Sequence, residues 1–399
     1  MSWLLAFAGF AALIILHEFG HFIAAKWTGM RVERFFLFFP PKLWSIKRGE
    51  TEYGIGAIPL GGFVKITGMN PDEVEPRRDP DAPPREAGLL EKVESVDQEP
   101  GADVSRPGEP LPPGLRERAY YNQPVWKRIV VIGAGPAVNI VLAFAILFVL
   151  AFGASDPTQK VGEIVPDTPA AAVLKPGDEI VAVDGRTYRS AGLAERREKF
   201  VEQISSHRCA GNQVEGCRAV TPALLTVRRD GELMTTAVRP EYDPAVERTR
   251  IGFAYGSEPA NLGPGGAAQR AVDGVWLVTS KTVTVFARLF EEEQRKQVSG
   301  VVGVSATADE VIDELGTREA LILLAVVSLS LGLINLFPFL PLDGGHIFWS
   351  LVEKVRGSPV PFSVMERAGA IGFVLVIMLF FIGLSNDIGR LTGEGFEVR

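Results

Sequence analysis

Residues 17–21 read His-Glu-Phe-Gly-His. On a helix, side chains four positions apart project from nearly the same face, so His17 and His21 can reach a single Zn²⁺. Glu18 then stands beside the metal, placed to take a proton from a bound water, which is the chemistry of metal-assisted hydrolysis. The motif lies inside an apolar run that begins at Trp3 and is long enough to cross a bilayer. Imidazoles and a carboxylate are costly at that depth and are rarely retained there without a function. A chance grouping on an ordinary span is the bland alternative, and this cost weighs against it. The chain has four histidines, and His17 and His21 are two of them.

A metal-binding pair needs a third ligand and a scaffold that brings it to the same depth. Four segments are apolar enough to span: about Trp3–Ala25, Ile129–Phe152, Ala320–Phe339 and Ala368–Leu384. Each is near the ~20 residues that cross a hydrocarbon core. Gly133, Gly135 and Pro136 interrupt the second span near its start, which points to close helix packing or local unwinding. The first and third spans run in the same direction, and His17 and His21 lie about two-thirds of the way along the first. At the matching end of the third stands Asn335-Leu336-Phe337-Pro338-Phe339-Leu340-Pro341-Leu342-Asp343-Gly344-Gly345-His346. Pro338 and Pro341 break the helix there and free backbone groups that need partners. Asp343 can supply the third ligand, and two His with one carboxylate leave a fourth position open for water. As an isolated motif, Pro-Leu-Asp-Gly-Gly reads as a surface turn; at this depth, opposite the histidine pair, the ligand reading is the stronger. His346 competes for the third position from beyond the two glycines. Asn335, an isolated amide in an apolar helix, either bonds a substrate backbone or caps the carbonyls freed at the break.

Composition narrows the class. The chain has 399 residues, 47% of them hydrophobic, which suggests a membrane protein with sizeable soluble parts. A net charge of −7 argues against a nucleic-acid binder, which needs a basic face. The start shows no basic n-region, and His-Glu-Phe-Gly-His stands where a signal peptide would end, so the first span is expected to be retained. Cys209 and Cys217 are the only cysteines. Their spacing excludes a cysteine-rich metal site and leaves a short disulfide loop and two free thiols as equal readings.

Between the first two spans, Arg31–Met69 is aromatic, β-branched and punctuated by glycine, the pattern of short strands or hairpins that dip into the membrane interface. Asn70–Glu117 changes to Pro, Asp, Glu and Arg, the composition of a flexible linker. Beyond the second span, Val161–Pro166, Gly177–Gly185 and Leu224–Glu232 alternate strand patterns with turns, and Asp230-Gly231 suits a two-residue hairpin. After Gly265 the pattern becomes an amphipathic helix, surface-lying or packed. Lys and Arg crowd the membrane ends of the Arg31–Arg128 loop, and Lys354 and Arg356 lie between the last two spans, so these loops are expected in the cytoplasm.

His-Glu-Phe-Gly-His in the first span, Asn-Leu-Phe-Pro-x-x-Pro-Leu-Asp-Gly-Gly-His in the third and Gly-Ala-Gly-Pro-Ala-Val-Asn in the second resemble the site-2 protease family of intramembrane zinc metalloproteases. Gly-Ile-Gly-Ala-Ile-Pro-Leu-Gly-Gly-Phe-Val is similar to that family's membrane-associated β segment, and Val161–Tyr188 resembles a bacterial PDZ domain, as in the RseP-like branch. The resemblance implies a polytopic α-helical membrane protein of about four transmembrane helices, with a membrane-associated β segment and an inserted PDZ-like domain. It divides the chain into 1–26, first helix; 27–69, β segment; 70–118, cytoplasmic linker; 124–153, second helix; 155–257, extracytoplasmic PDZ-like domain; 258–318, amphipathic or irregular connector; 319–346, third segment; 365–385, fourth helix; and 386–399, tail. It implies His17, His21 and Asp343 as Zn²⁺ ligands, Glu18 as the catalytic carboxylate and Asn335 as a substrate-backbone contact. Implied partners are the lipid bilayer and single-span membrane proteins, such as anti-sigma factors or signal-peptide remnants, after a first cut by a site-1 protease. The implied location is the bacterial inner membrane, with several passes. The single PDZ-like unit departs from the best-known relatives, which have two. A non-catalytic scaffold has no need of Glu18 beside an open ligand position. A metal transporter would want ionisable groups along several spans, and the second and fourth carry almost none.

Overall fold

The computed structural model describes residues 2–69, 111, 113–211, 213–288, 291, 316–358 and 360–392. The linker expected over 70–118 lies outside them except for residue 111 and residues 113–118, as do most of the connector beyond residue 288 and the end of the tail. The chain divides into two compact units, Met1–Leu150 with Ala268–Arg399, and Ala151–Ala267.

Among the described residues, four helices of the first unit are long and apolar enough to cross a membrane: α1 (Ser2–Trp27), α2 (Val125–Ala151), α5 (Thr317–Asn335) and α7 (Phe362–Thr392). Pro136 lies inside α2, yet the helix continues through it to Ala151. Of the glycines beside it, Gly135 serves close packing, and no unwound stretch forms.

Between α1 and α2 stand β1 (Val32–Arg48) and β2 (Thr51–Ile66). Each folds back on itself, so the pair forms a sheet wider than a simple hairpin. Leu37 lies opposite both Gly62 and Ile55, and Arg34 opposite both Lys65 and Glu52. Residues 42–48 pair in turn with 51–56, which leaves residues 62–66 with a partner strand on one side only among the described residues. The ends of the sheet pack into a cluster of Ala24, Ala25, Met30, Val32, Ile66, Tyr120, Val131 and Ile132, which joins α1, the sheet and the start of α2. Glu50, in the turn between the strands, accepts hydrogen bonds from Arg118 at 2.7 and 2.9 Å and from Lys26 at 2.5 Å. The Arg118 bonds first, then Lys26, hold its carboxyl down to about 2 against the opposing effect of burial.

Among the described residues of the connector is a long helix, α4 (Pro264–Ala287). It is packed and does not stand apart. Val275 and Val278 adjoin the buried cluster of Ala143, Ala325 and Leu329, and the Phe286 and Phe337 rings lie 4.4 Å apart. Its other face leaves Val272, Trp276, Leu277 and Val283 exposed, as expected for a helix against lipid.

In the second unit, β3 (Ser155–Ile164), β4 (Glu179–Val183), β5 (Ala223–Arg229), β6 (Glu232–Val238) and β9 (Phe253–Pro259) form one sheet in the order β6-β5-β4-β3-β9. A second, two-stranded sheet pairs β7 (Glu241–Asp243) with β8 (Arg248–Arg250). Arg229 lies opposite Glu232, so Asp230-Gly231 forms a two-residue turn with φ of 51° and 87°. Helix α3 (Leu193–Ser205) drives Phe200 and Ile204 into a core with Val161, Ile180, Leu225, Val227 and Ile251. Cys209 and Cys217 are joined in a disulfide, which decides between the two readings of that pair.

Candidate metal centre

The site is assembled from three helices. Helix α1 presents His17 and His21 one turn apart, both nearly sealed from solvent. Asp343 opens α6 (Asp343–Arg356), after the break that follows α5. Helix α6 begins at Asp343 itself, so Gly344 and Gly345 stand in its first turn. A Cβ on Gly344 would lie 2.2 Å from the Leu336 carbonyl oxygen, and one on Gly345 would lie 2.5 Å from the Leu340 nitrogen. Only glycine allows α6 to fold so tightly back onto the break and return Asp343 toward α1. Buried Arg128 on α2 reinforces this return. Its Nη2 donates to Glu353 Oε1 of α6 at 2.5 Å, and its guanidinium lies 5.4 Å from the Tyr121 ring centre.

The three donor atoms converge although Asp343 is 326 residues from His17. His17 Nε2 lies 3.1 Å from Asp343 Oδ2, His21 Nε2 lies 3.3 Å from the same oxygen, and the two Nε2 atoms are 3.3 Å apart. A tetrahedral ion with bonds of about 2.0–2.1 Å holds its ligand atoms about 3.3 Å from one another, so the triangle has the size of one zinc face. The donor chemistry fits as well. His21 Nδ1 donates to the Val131 carbonyl at 2.9 Å, so the neutral ring directs its Nε2 lone pair at the other two donors. A lone pair and a carboxylate oxygen facing each other at this distance need a proton or a cation between them, and one cation satisfies all three donors together. Among the described residues, His17, His21 and Asp343 are the group able to hold a metal.

The structure brings together three of the sequence-derived candidates directly and places the others around them. Glu18, next to His17, is half-buried; its Cγ would stand 3.0 Å from a Cβ added at Gly62. Gly62, where the edge segment 62–66 begins, therefore lies beside the Glu18 side chain. His346 lies one turn beyond Asp343 on α6 and is not part of the three-donor group. Asn335 is the last residue of α5, and its Nδ2 donates to the Leu331 carbonyl at 3.1 Å. Its amide is turned onto its own helix.

Helix α2 contributes what the sequence did not assign. Gly135 lies so close to His21 that a Cβ there would meet Nε2 at 2.3 Å. Gly20 on α1 is equally confined, since its Cβ would stand 2.5 Å from the Ala134 carbonyl oxygen. One turn before Gly135 on the same helix, the Val131 carbonyl accepts from His21 Nδ1. Asn139, fully buried, has its side-chain amide 3.3 Å from His17 Nδ1. A lone amide in an apolar span and the glycines beside Pro136 were the available signals.

Comparison with known proteins bears on the same site. The model of Peptidase family M50 matches residues 5–379. A relative from Brucella suis is 30% identical over 394 residues, covering 94% of this chain and 92% of its own. Zinc metalloprotease RasP of Geobacillus kaustophilus is 28% identical over 423 residues, 96% of each chain. Regulator of sigma-E protease RseP of Salmonella typhimurium is 28% identical over 473 residues, covering 95% of this chain and 96% of its own. With the match running from the first span into the last, the chain belongs to Peptidase family M50, the zinc metalloproteases of the site-2 type.

Proposed function

We propose that this chain hydrolyses a peptide bond in or near the transmembrane segment of a single-span membrane protein that has first been cut outside the membrane. The observation that carries the reading is the mutual approach of His17 Nε2, His21 Nε2 and Asp343 Oδ2 within 3.3 Å on helices that span or adjoin the bilayer. In this reading those three side chains hold the metal. Bound zinc supplies a Lewis acid that acidifies water and polarises the scissile carbonyl. Glu18 accepts the proton of the attacking water and delivers it to the departing amine. His21, fixed by Val131, and the tight first turn of α6 keep the donors preorganised, so little reorganisation accompanies the chemistry.

A transmembrane helix offers no free peptide groups, because its backbone is bonded internally. The substrate must unwind before it is cut. Residues 62–66, paired on one side only among the described residues and beginning beside Glu18 at Gly62, suit the capture of such an unwound strand by edge pairing. The exposed Leu43, Trp44 and Ile46 suit anchorage of the same sheet in the interface. Asn335 is a second backbone contact once its amide turns from Leu331.

We place the protein in the bacterial inner membrane with residues 155–257 outside, acting as a PDZ-like domain that restricts access or binds the new C-terminus left by the first cut. The Cys209–Cys217 disulfide supports that side, since such bonds persist in oxidising compartments. Anti-sigma factors and signal-peptide remnants are substrates of the right form.

The deciding experiment is cleavage of a model single-span substrate by the purified protein, with and without a chelator, beside Glu18→Gln. The chelator is expected to stop cleavage and zinc to restore it. Glu18→Gln is expected to keep its zinc and lose turnover, because glutamine cannot accept the water proton. Near wild-type cleavage by Glu18→Gln would overturn the assignment.

A further inference from the structure

We propose that Asn139 is a positioning residue that holds His17 in the tautomer able to bind the metal, its amide oxygen accepting a hydrogen bond from His17 Nδ1–H. The inference rests on the metal-binding reading of His17, His21 and Asp343 and extends it to a residue outside the ligand set.

Both ligand imidazoles lean on α2. His21 Nδ1 donates to the Val131 carbonyl at 2.9 Å. Two turns further along the same helix, the Asn139 amide lies 3.3 Å from His17 Nδ1. With a cation at the three donors, His17 Nε2 presents its lone pair, the proton of the neutral ring stands on Nδ1, and Nδ1 needs an acceptor. Nδ2 faces the ring, while Oδ1 is buried with no hydrogen-bond partner. A 180° turn of the amide exchanges the two atoms at the same positions, so the unpartnered oxygen meets the ring N–H. With Nδ2 left facing the ring, its N–H would donate to Nδ1. The ring proton would then stand on Nε2, where it blocks ligation.

The backbone beneath this amide is held firmly. Asn139 is 0% exposed, and its carbonyl accepts from Ser328 Oγ of α5 at 2.9 Å. Gly332, also on α5, packs so that an added Cβ would lie 3.3 Å from the Asn139 Cβ. One residue thereby touches a ligand on α1 and the helix that leads to Asp343. The competing role is plain packing, since an asparagine between membrane helices also serves as polar glue.

The test measures zinc affinity of the detergent-solubilised full chain by competition with a chromogenic chelator, for wild type, Asn139→Leu and Asn139→Asp. Loss of the orienting acceptor is expected to weaken zinc binding by about 10–100-fold in Asn139→Leu. Asn139→Asp, which can only accept at this position, is expected to bind zinc as tightly as wild type or more tightly. A cobalt-loaded Asn139→Asp sample is expected to keep the wild-type visible spectrum. Wild-type affinity in Asn139→Leu, or weakened binding in Asn139→Asp, overturns the inference while the metal site stands. An aspartate variant that does not fold also counts against it, because an acceptor is all the proposal asks of this side chain. Absence of stoichiometric zinc in the wild type overturns the metal reading and this inference together.

Discussion

Gly135→Ala puts one methyl group at the tightest contact around the histidine pair. The new Cβ would lie 2.3 Å from His21 Nε2, 2.6 Å from Cε1 and 2.8 Å from Cδ2. Ordinary contact begins near 3.4 Å, so ring or helix must yield by about 1 Å. The ring has little freedom to do so, because swinging away breaks the Nδ1 bond to Val131. Helix propensity acts the other way and favours alanine over glycine by about 1 kcal/mol. Overpacking costs about 1–3 kcal/mol, and a misplacement of about 1 Å in a catalytic group costs about 10²-fold in rate. Gly135→Ala should therefore lower zinc affinity and reduce cleavage of a single-span substrate by about 10²-fold or more. Gly133→Ala is the matched control on the same helix, since its Cβ would meet only Ile347 Cδ1, at 3.9 Å. It should retain zinc and activity. Zinc affinity is measured by chelator competition and turnover by gel-resolved cleavage. Equal behaviour of the two alanine variants, with both near wild type, would refute the packing argument for the site.

Asp343→Ala should lower zinc occupancy, because it leaves two imidazoles as the protein ligands; elemental analysis of purified protein checks this, and full occupancy would move the third ligand to another residue, His346 first. Asp178, whose carboxylate takes hydrogen bonds from Arg229 at 2.7 and 2.6 Å, is held below its ordinary value of 3.8. A depressed carboxylate contributes stability above its unfolded value and loses it as pH falls through the folded one. Asp178→Asn should thus destabilise the second unit by about 1–3 kcal/mol at pH 7, with the difference from wild type shrinking below about pH 4 when both are followed by pulse proteolysis. A cysteine placed in the 70–117 segment should be protected from an impermeant thiol reagent in intact cells, whereas one at Ser155 should be labelled; the reverse pattern would invert the orientation.

Local pattern made much of this protein legible. Four apolar stretches of spanning length are a one-dimensional property, and the described helices fall on each of them, with ends displaced by a few residues. The last is the most extended, running from Phe362 to Thr392. Likewise, His17 and His21 share a helix face at any four-residue spacing, whatever surrounds them. Asp-Gly at 230–231 specified its own turn, because it tolerates the positive φ that a two-residue hairpin requires.

Other features depend on what packs against what. The sequence left α4 between a surface helix and a packed one, because its amphipathic period is the same in either setting; its neighbours on α2 and α5 decide. Arg31–Met69 read as strands, but hydrophobic alternation contains no register, so the folding back of β1 and β2 was invisible. The sequence allows Asn335 either a substrate contact or a cap, and in the structure it bonds Leu331 on its own helix. Above all, the sequence supplied the donors and left their distances open. The approach of Asp343 to His17 and His21 requires the tight turn at Gly344 and Gly345, the Arg128–Glu353 pair and the close passage of Gly135. Those are contacts between residues far apart in the chain, and steric fit between helices leaves no periodic trace along any one of them. The sequence by itself determined which atoms can bind a metal and that they lie at membrane depth; only the tertiary structure decided that three of them meet, because convergence is a property of packing.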